Sequence, residues 1–498
     1  MDAAAAESRA RTVLLGLGFA LEKIDDSMSK LSGGWRTRCD LACALCHTAD
    51  ILLLDEPTNF LDLPSIIWLQ DYLTGPDLEG TTVVVVTHDR DFADATADEL
   101  LILRDQKIER FRGNLSKYES EKIKKIKWMS TMKDAKDKQK KHIEQSIANN
   151  IRAAKQKGDE KKLKQAVSRQ KKLDDRWGLE VSAKGHRFKL NRDNAGYGFT
   201  RRAEIVVPEF DPLPKIKFPS IPPDLRFPGA LVSLEKITFA YTKKGPTVLN
   251  GIDLTIYLGE RYGLAGLNGS GKSTLVNIIA GQAPPTSGTV TSHPRLRIAK
   301  FSQHIVEELE RLTRAEPHAT ALSHLLAHAP GTSEKDARTV LGSLGLQGGV
   351  ASDTPLVGLS GGQKVRLAFA KLVHPVPPHL LILDEVTTHL DGETILSLVF
   401  ALREYEGAVL VVTHDRFFMR CVVEGESPSK GGARRAAIQG LEDEDADDDT
   451  DDDDEEDTKK GTVFRMFRGT LRKLDEGMAQ YEEIAERAAA KLALKKKA

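Results

Sequence analysis

The chain repeats itself, and the repeat constrains its fold more than any other feature. LSGG occurs at Leu31 and again at Leu359, LLLDE at Leu52 returns as LILDE at Leu381, and VVTHDRDF at Val85 returns as VVTHDRFF at Val411. The offsets are 328, 329 and 326 residues, so one module is written twice with its internal spacing kept. A later pair, FRGNLSKY at Phe111 and FRGTLRKL at Phe467, is offset by 356, which places an insertion of about 30 residues in the second copy. Glu442 to Asp457, with 14 acids in 16 residues, lies in that window. Such a run cannot bury apolar surface, and a disordered, solvated insertion over 426–460 is expected.

The second copy has a front half. Leu231 to Tyr241 and Leu254 to Leu264 are β-rich, and the latter leads into GLNGSGKST, Gly266 to Thr274, followed by an amphipathic helix start. A GxxxxGK[ST] loop between strand and helix cradles phosphates: glycines let backbone N–H groups converge on the oxygens, and the helix N-terminus adds its dipole. Lys272 would reach the β and γ phosphates and Ser273 would ligate Mg²⁺. Gly266 and Leu359 are 93 residues apart; the same spacing in the first copy puts its loop about 62 residues before Met1. The first module is therefore expected to lack its phosphate loop.

Leu380 to Glu385 is an apolar strand ending in two carboxylates, with Asp384 placed to hold Mg²⁺ through water and Glu385 to orient or deprotonate an attacking water. His414 ends another β-rich run, where an imidazole can contact a γ-phosphate or serve structure alone.

From Lys117 to Arg176 there are 20 Lys/Arg against 9 Asp/Glu, with sparse apolar residues and Gly158 as a break, which predicts two basic helices. Such a segment suits either a solvated helix pair or a phosphate-rich partner, and its few aromatics, Trp128 and Trp177, argue against base stacking. A proline-rich connector follows at 208–224, and Leu471, Leu474, Met478, Tyr481 and Ile484 are spaced for one face of a C-terminal helix. No run of 18 apolar residues occurs, and Thr12 to Leu21 reads as a helix because it lacks a cleavage site. Four cysteines in 498 residues point to a reducing, cytoplasmic compartment. Cys43-Ala-Leu-Cys46-His47 matches a haem-attachment pattern, against which Cys39, Cys43 and Cys46 read as small buried residues on one helical face.

The order of the phosphate loop, LSGGQ (359–363), LLILDE, His389-Leu390-Asp391 and His414 resembles the ATP-binding cassette ATPases over residues 229–425. That resemblance implies that Tyr241 stacks on adenine, that Gln303 senses Mg²⁺ and water, and that Asp391 contacts the opposing module. Two cassettes, a basic linker, LSGGW, and DEPTN (55–59) with Leu61-Asp62 resemble the ABC-F proteins, ribosome-associated ATPases without membrane domains. In that family two nucleotides are sandwiched head to tail between cassettes. The fold implied is α/β, with tandem P-loop cassettes joined by a helical linker that reaches ribosomal RNA and tRNA. The implied segments are a partial cassette at 1–113, linker and connector at 114–228, a second cassette at 229–425, the insertion at 426–460, and the end of the second cassette with its helix at 461–498.

By the same resemblance Ser32, Gly33 and Gly34 complete the γ-phosphate shell of an ATP held with Mg²⁺ by Gly266, Leu267, Asn268, Gly269, Ser270, Gly271, Lys272, Ser273 and Thr274. The reciprocal half-site keeps Asp55, Glu56, His88 and Ser360 to Gly362 without a phosphate loop, and tight nucleotide binding is not expected there. Val386 and Thr388 stand where the family has Pro and Asn. The competing readings are a non-hydrolysing interaction protein and the ATPase subunit of a transporter.

Overall fold

The computed structural model describes residues 3–31, 33–104, 106–157, 160–176, 213–214, 216–219, 221–242, 245–302, 305, 309, 311, 314, 316–428 and 460–494. Residues 3–114, 213–428 and 460–494 belong to one compact unit and 115–176 to another. The acidic run lies outside the described residues, as do Ser32, Gln303 and Gly158.

In the first module, α1 (Ala3–Gly16) and α2 (Gly33–Cys46) precede β1 (Ile51–Asp55), α3 (Leu63–Thr74), β2 (Thr82–Val86) and α4 (Arg90–Thr96), followed by the hairpin β3 (Glu99–Arg104) and β4 (Lys107–Arg112). β1 and β2 run parallel with Leu52 opposite Val83, joined by α3 as parallel strands require. The helix expected over Thr12 to Leu21 ends at Gly16, and Gly18 takes φ +91°, a left-handed turn that stops it.

The described residues of the second unit form α5 (Leu115–Lys157) and α6 (Glu160–Arg176), the two helices expected of this polar, helix-forming segment. Ile147 and Ala166 are buried, while Trp128 is half exposed.

The second module opens with β5 (Val232–Phe239), β6 (Leu249–Ile256), β7 (Arg261–Gly266), α7 (Lys272–Ile279), β8 (Ser287–Ser292) and β9 (Ile298–Phe301). Helices α8 (Ala321–His328), α9 (Glu334–Ser343), α10 (Gly349–Ser352) and α11 (Gly361–Val373) lead to β10 (Leu380–Asp384), α12 (Gly392–Glu404), β11 (Ala408–Val412) and the short α13 (Arg416–Met419). β12 (Thr462–Phe467), β13 (Thr470–Lys473) and α14 (Gly477–Leu494) close it. The strands form a six-stranded sheet in the order β13-β12-β7-β11-β10-β9, parallel except for β13, and an antiparallel sheet β6-β5-β8. The β-rich run from Leu254 to Leu264 is thus two strands, with the turn between Ile256 and Arg261.

Successive side chains of a strand point to opposite faces, and β10 divides between two cores accordingly. Leu380 and Ile382 join β5, β6 and α7 in one cluster. Leu381 and Leu383 join the helical face in the other, which also contains Val13, Leu45, Trp68 and Leu69 of the first module. Met478, Tyr481 and Ala485 of α14 belong to the same cluster, and α14 packs against α3 and α1. The first module is therefore held by a core it shares with the second. Leu471 and Leu474 do not lie on the C-terminal helix: Leu471 sits in β13, where it packs into the first of the two clusters, and Leu474 lies between β13 and α14 and packs into the second.

The cysteine stripe splits. Cys39 and Cys46 pack against the core, but Cys43 is exposed, so the three are not uniformly buried residues. Among the described residues no group of three metal-ligating side chains forms, and no helix is long and apolar enough to cross a membrane.

Candidate functional site

The phosphate loop is built by its glycines. Gly266, Gly269 and Gly271 take φ of +156°, +77° and +104°. A Cβ on Gly266 would lie 2.6 Å from the Met466 carbonyl and one on Gly271 2.9 Å from a Leu249 methyl, so side chains are excluded by both conformation and space. No side chain caps α7 at Gly271, which leaves the first N–H groups of the helix available to an anion. Ser270 Oγ is buried without a hydrogen-bond partner. These features fit a phosphate chain, and the oxygen donors of Ser273 and Asp384 are of the kind that would suit an accompanying Mg²⁺. Leu267, Asn268 and Ser273 are exposed, while Lys272 and Thr274 are buried.

Lys272 Nζ donates to the Gly266 carbonyl at 2.6 Å and lies 2.9 Å from His414 Nε2. Asn268 Oδ1 is 3.1 Å from the same His414 nitrogen and Glu385 Oε1 is 3.6 Å from it. Nε2 sits between a donor and an acceptor and satisfies one at a time. Burial lowers the Lys272 pKa, against the opposing pull of Glu385, Asp62 and Asp384. Burial, with Lys272 and Arg38 adding to it, takes His414 well below the usual imidazole range and keeps it neutral. Burial lifts Glu385 to about 7, with Lys272 opposing. Asp384 is buried at the end of β10, beside Glu385. A partly buried base next to a lysine and a neutral imidazole is the constellation expected of a site that activates water near phosphate.

Tyr241 lies just past β5. Its ring is exposed, meets Phe239 edge-on at 5.0 Å, and its hydroxyl is 2.8 Å from Thr274 Oγ1. The aromatic face is therefore presented beside the phosphate loop. Asp391 caps α12 and accepts from Thr394 Oγ1 at 2.6 Å; a Cβ on Gly362 would lie 3.2 Å from it, so these contacts are within its own module.

The first module reaches this site through α2. Gly33 and Gly34 form its first turn, which puts their backbone N–H groups at the N-terminus of the helix. Where the second signature has Gln363 reciprocating the Ser360 cap, the first has Trp35, which packs edge-on against Phe19 at 4.7 Å and lies under the Arg38 guanidinium at 4.6 Å. Arg38 is buried and donates to the Leu17 carbonyl at 2.8 Å and, through Nε and Nη2, to the Phe60 carbonyl at 3.1 and 2.7 Å. Asn268 Nδ2 of the phosphate loop donates to that same carbonyl at 3.0 Å. Phe60 takes φ +65°, a strained conformation for an aromatic residue, and the three donors hold it there. Sequence reasoning missed Arg38 and Phe60. Arg366, 328 residues after Arg38, repeats the basic residue, and that repetition was the available signal.

A cavity of about 300 Å³ lies where the modules meet. Gly34 and Trp35 line it from one side and Asn268, Glu385 and His414 from the other. Its wall contains equivalent residues of both copies, Glu56 with Glu385, His88 with His414 and Asp89 with Asp415, which marks a pseudo-twofold axis. Glu56 and Glu385 both take left-handed φ, +47° and +51°, and each donates its N–H to the end of the neighbouring strand, Val86 and Val412, at 2.8 Å.

Two cassette modules facing one another across such an axis define a tandem ATP-binding cassette protein. The family model described as "ABC transporter" matches residues 3–59 and 249–388. The probable ATP-binding protein YheS of Escherichia coli O6:H1 is 36% identical over 424 residues, covering 85% of this chain and 59% of the relative. ABC transporter F family member 4 of Arabidopsis thaliana is 36% identical over 429 residues, covering 85% and 54%. A solved complex of an archaeal ribosomal stalk protein and the archaeal ribosome recycling factor aABCE1 shares the fold, with TM-score 0.53 at 19% identity over 97% of this chain and 71% of that one. The chain belongs to the F subfamily of ATP-binding cassette proteins, and it spans little more than half the length of these curated relatives, 59% and 54%.

Proposed function

We propose that the chain binds ATP between its two modules, hydrolyses it to ADP and phosphate, and acts on the ribosome. The Gly266–Thr274 loop holds the phosphates, and Ser32, Gly33 and Gly34 close over the γ-phosphate from the other module. The observation that carries this reading is the cavity lined by Gly34 and Trp35 together with Asn268, Glu385 and His414. Ser273, Asp384 and Gln303 would hold Mg²⁺, which would supply neutralising charge to the bound phosphates.

Lys272 leaves the Gly266 carbonyl for the phosphate oxygens, which frees His414 Nε2 for the γ-phosphate. Glu385 orients the attacking water and takes its proton, a role suited to a carboxyl with pKa about 7. Tyr241 offers its exposed ring to adenine.

The ribosomal part rests on two observations. Residues 117–176 carry 20 Lys/Arg against 9 Asp/Glu on two long helices, which suits the phosphates of ribosomal RNA, with tRNA as a further contact. The fold is that of a protein described as a ribosome recycling factor. ATP binding would draw the signature onto the phosphate loop and hold a conformation that the ribosome selects; hydrolysis would release it.

The test is co-sedimentation with ribosomes. Glu385→Gln with ATP should pellet with ribosomes several-fold more than the parent chain, and Lys272→Ala should not respond to ATP. Pelleting of Glu385→Gln that is the same with and without ATP would overturn the ribosomal reading. An ATPase rate unchanged by Lys272→Ala would overturn the enzymatic one.

A further inference from the structure

Beyond the cavity, the two turns that follow the histidines meet each other, and they are built alike. Thr87 Oγ1 accepts from the Asp89 N–H at 3.1 Å and Asp89 Oδ1 from Phe92 at 2.9 Å; Thr413 accepts from Asp415 at 3.1 Å and Asp415 Oδ1 from Phe418 at 2.9 Å. Their side chains cross. Arg90 lies over the Phe417 ring at 5.1 Å, and Arg416 Nε is 3.4 Å from Asp91 Oδ2. Arg420 Nη2 donates to both Asp91 oxygens at 2.8 and 2.9 Å, and its Nη1 donates to Glu482 of α14 at 3.0 Å. Position 94, the counterpart of Arg420, is an aspartate, so an acidic turn in one copy faces a basic turn in the other.

The second turn is fixed on its inner side by Phe418, Met419 and Val423, which are fully buried, and on the side facing the first module by this ion pair. Asp91 and Arg420 are each about three-quarters buried, with side-chain exposures of 28%, so their charge-assisted pair is screened less than a surface ion pair.

We propose that Asp91 is a positioning residue for His414. Its bonds to Arg420 and Arg416 hold the second histidine turn against the first module and aim the imidazole at the phosphate loop. Without Asp91, Arg420 keeps Glu482, with Glu426 at 3.5 Å, so the second module stays folded and the shared core stays closed while the ionic tie at this turn is lost. The inference rests on the ATPase reading for its kinetic consequence and on geometry alone for its structural one.

The experiment compares Asp91→Ala, Arg420→Ala, the double variant and Asp91→Glu. The ATPase kcat should fall about tenfold in Asp91→Ala with KM for ATP unchanged, since misplacement of a group costs the chemical step rather than binding. The double variant should be no slower than the worse single one, and Asp91→Glu should recover most of the rate. Independently of activity, amide exchange in nucleotide-free protein should quicken in Asp91→Ala over 410–416 and remain unchanged in β10. Unaltered kcat in an active parent, or unaltered exchange over 410–416, overturns the proposal. A parent without ATPase activity overturns the functional reading and leaves exchange to judge this one. Should Asp91→Ala not fold, Asp91→Asn removes the charge at nearly constant shape and is read in the same way.

Discussion

β1 and β10 carry almost the same residues, ILLLD and LLILD, yet live in different surroundings. Every residue of β10 is buried, whereas β1 alternates exposed and buried. Leu53 is 72% exposed and its counterpart Ile382 is 0% exposed. The faces bearing Leu52 and Leu54, or Leu381 and Leu383, are covered in both copies by the shared helical core. The opposite face is covered only in the second, by β5, β6 and α7. The same asymmetry reaches the site: the His414 side chain is 11% exposed and neighbours Lys272, while His88 is 50% exposed beside Glu56. A strand sequence thus specifies pairing and polarity; its solvation is decided by which other segments of the chain fold onto it.

The largest expected effect separates the two glutamates. Glu385→Gln should lower ATP hydrolysis about a thousandfold, within the range for loss of a general base, and leave ATP binding intact. Glu56→Gln, at the equivalent strand end but without a phosphate loop beside it, should change the rate by less than about twofold, within ordinary surface effects. Steady-state phosphate release measures both. Comparable losses at the two positions would break the functional asymmetry, because they would require the first half-site to turn over as well.

Stability should divide in the same way. Ile382→Ala removes a side chain enclosed by the second core and should cost about 3 kcal/mol in urea unfolding. Leu53→Ala removes an exposed one and should cost no more than about 0.5 kcal/mol. A penalty above about 2 kcal/mol for Leu53 would mean that its face is covered in solution. The exposed Leu101, Leu103 and Ile108 of β3 and β4 would then deserve the same substitution.

How much of this was legible beforehand follows from what a sequence can encode locally. The repeat, the phosphate loop and the strand ending at Asp384 and Glu385 are contiguous, and their side-chain and glycine requirements are local. The one-sided burial of β1 was legible only through the repeat, whose spacing leaves the first module without the front-half strands and therefore with an incomplete core; the apolar run by itself reads as covered on both faces. Leu471 and Leu474 were assigned to the wrong element because residues at helical spacing across a strand and turn mimic a stripe. The Phe60 carbonyl was hidden for another reason: its donors, Arg38 and Asn268, converge from positions 22 and 208 residues away. Asp91 and Arg420, 329 residues apart, were hidden likewise.

The smallest effect tests the electrostatics behind the comparison. Burial raises both glutamates, Glu385 to about 7 and Glu56 in the same direction with His88 opposing. For a carboxyl acting as base, the active form is the ionised one, so the rate rises with pH. With a pKa of about 7 the ionised fraction of Glu385 grows about tenfold between pH 6 and 8, and kcat should follow and then level off. The stability sign is opposite. A carboxyl whose folded pKa lies above its unfolded value holds its proton more tightly in the native state, so stability falls as pH rises from the unfolded pKa towards 7. Glu385→Gln should flatten that decline, and Glu56→Gln should leave the kcat profile unmoved. A rate that falls between pH 6 and 8 would assign the proton transfer to some group other than Glu385.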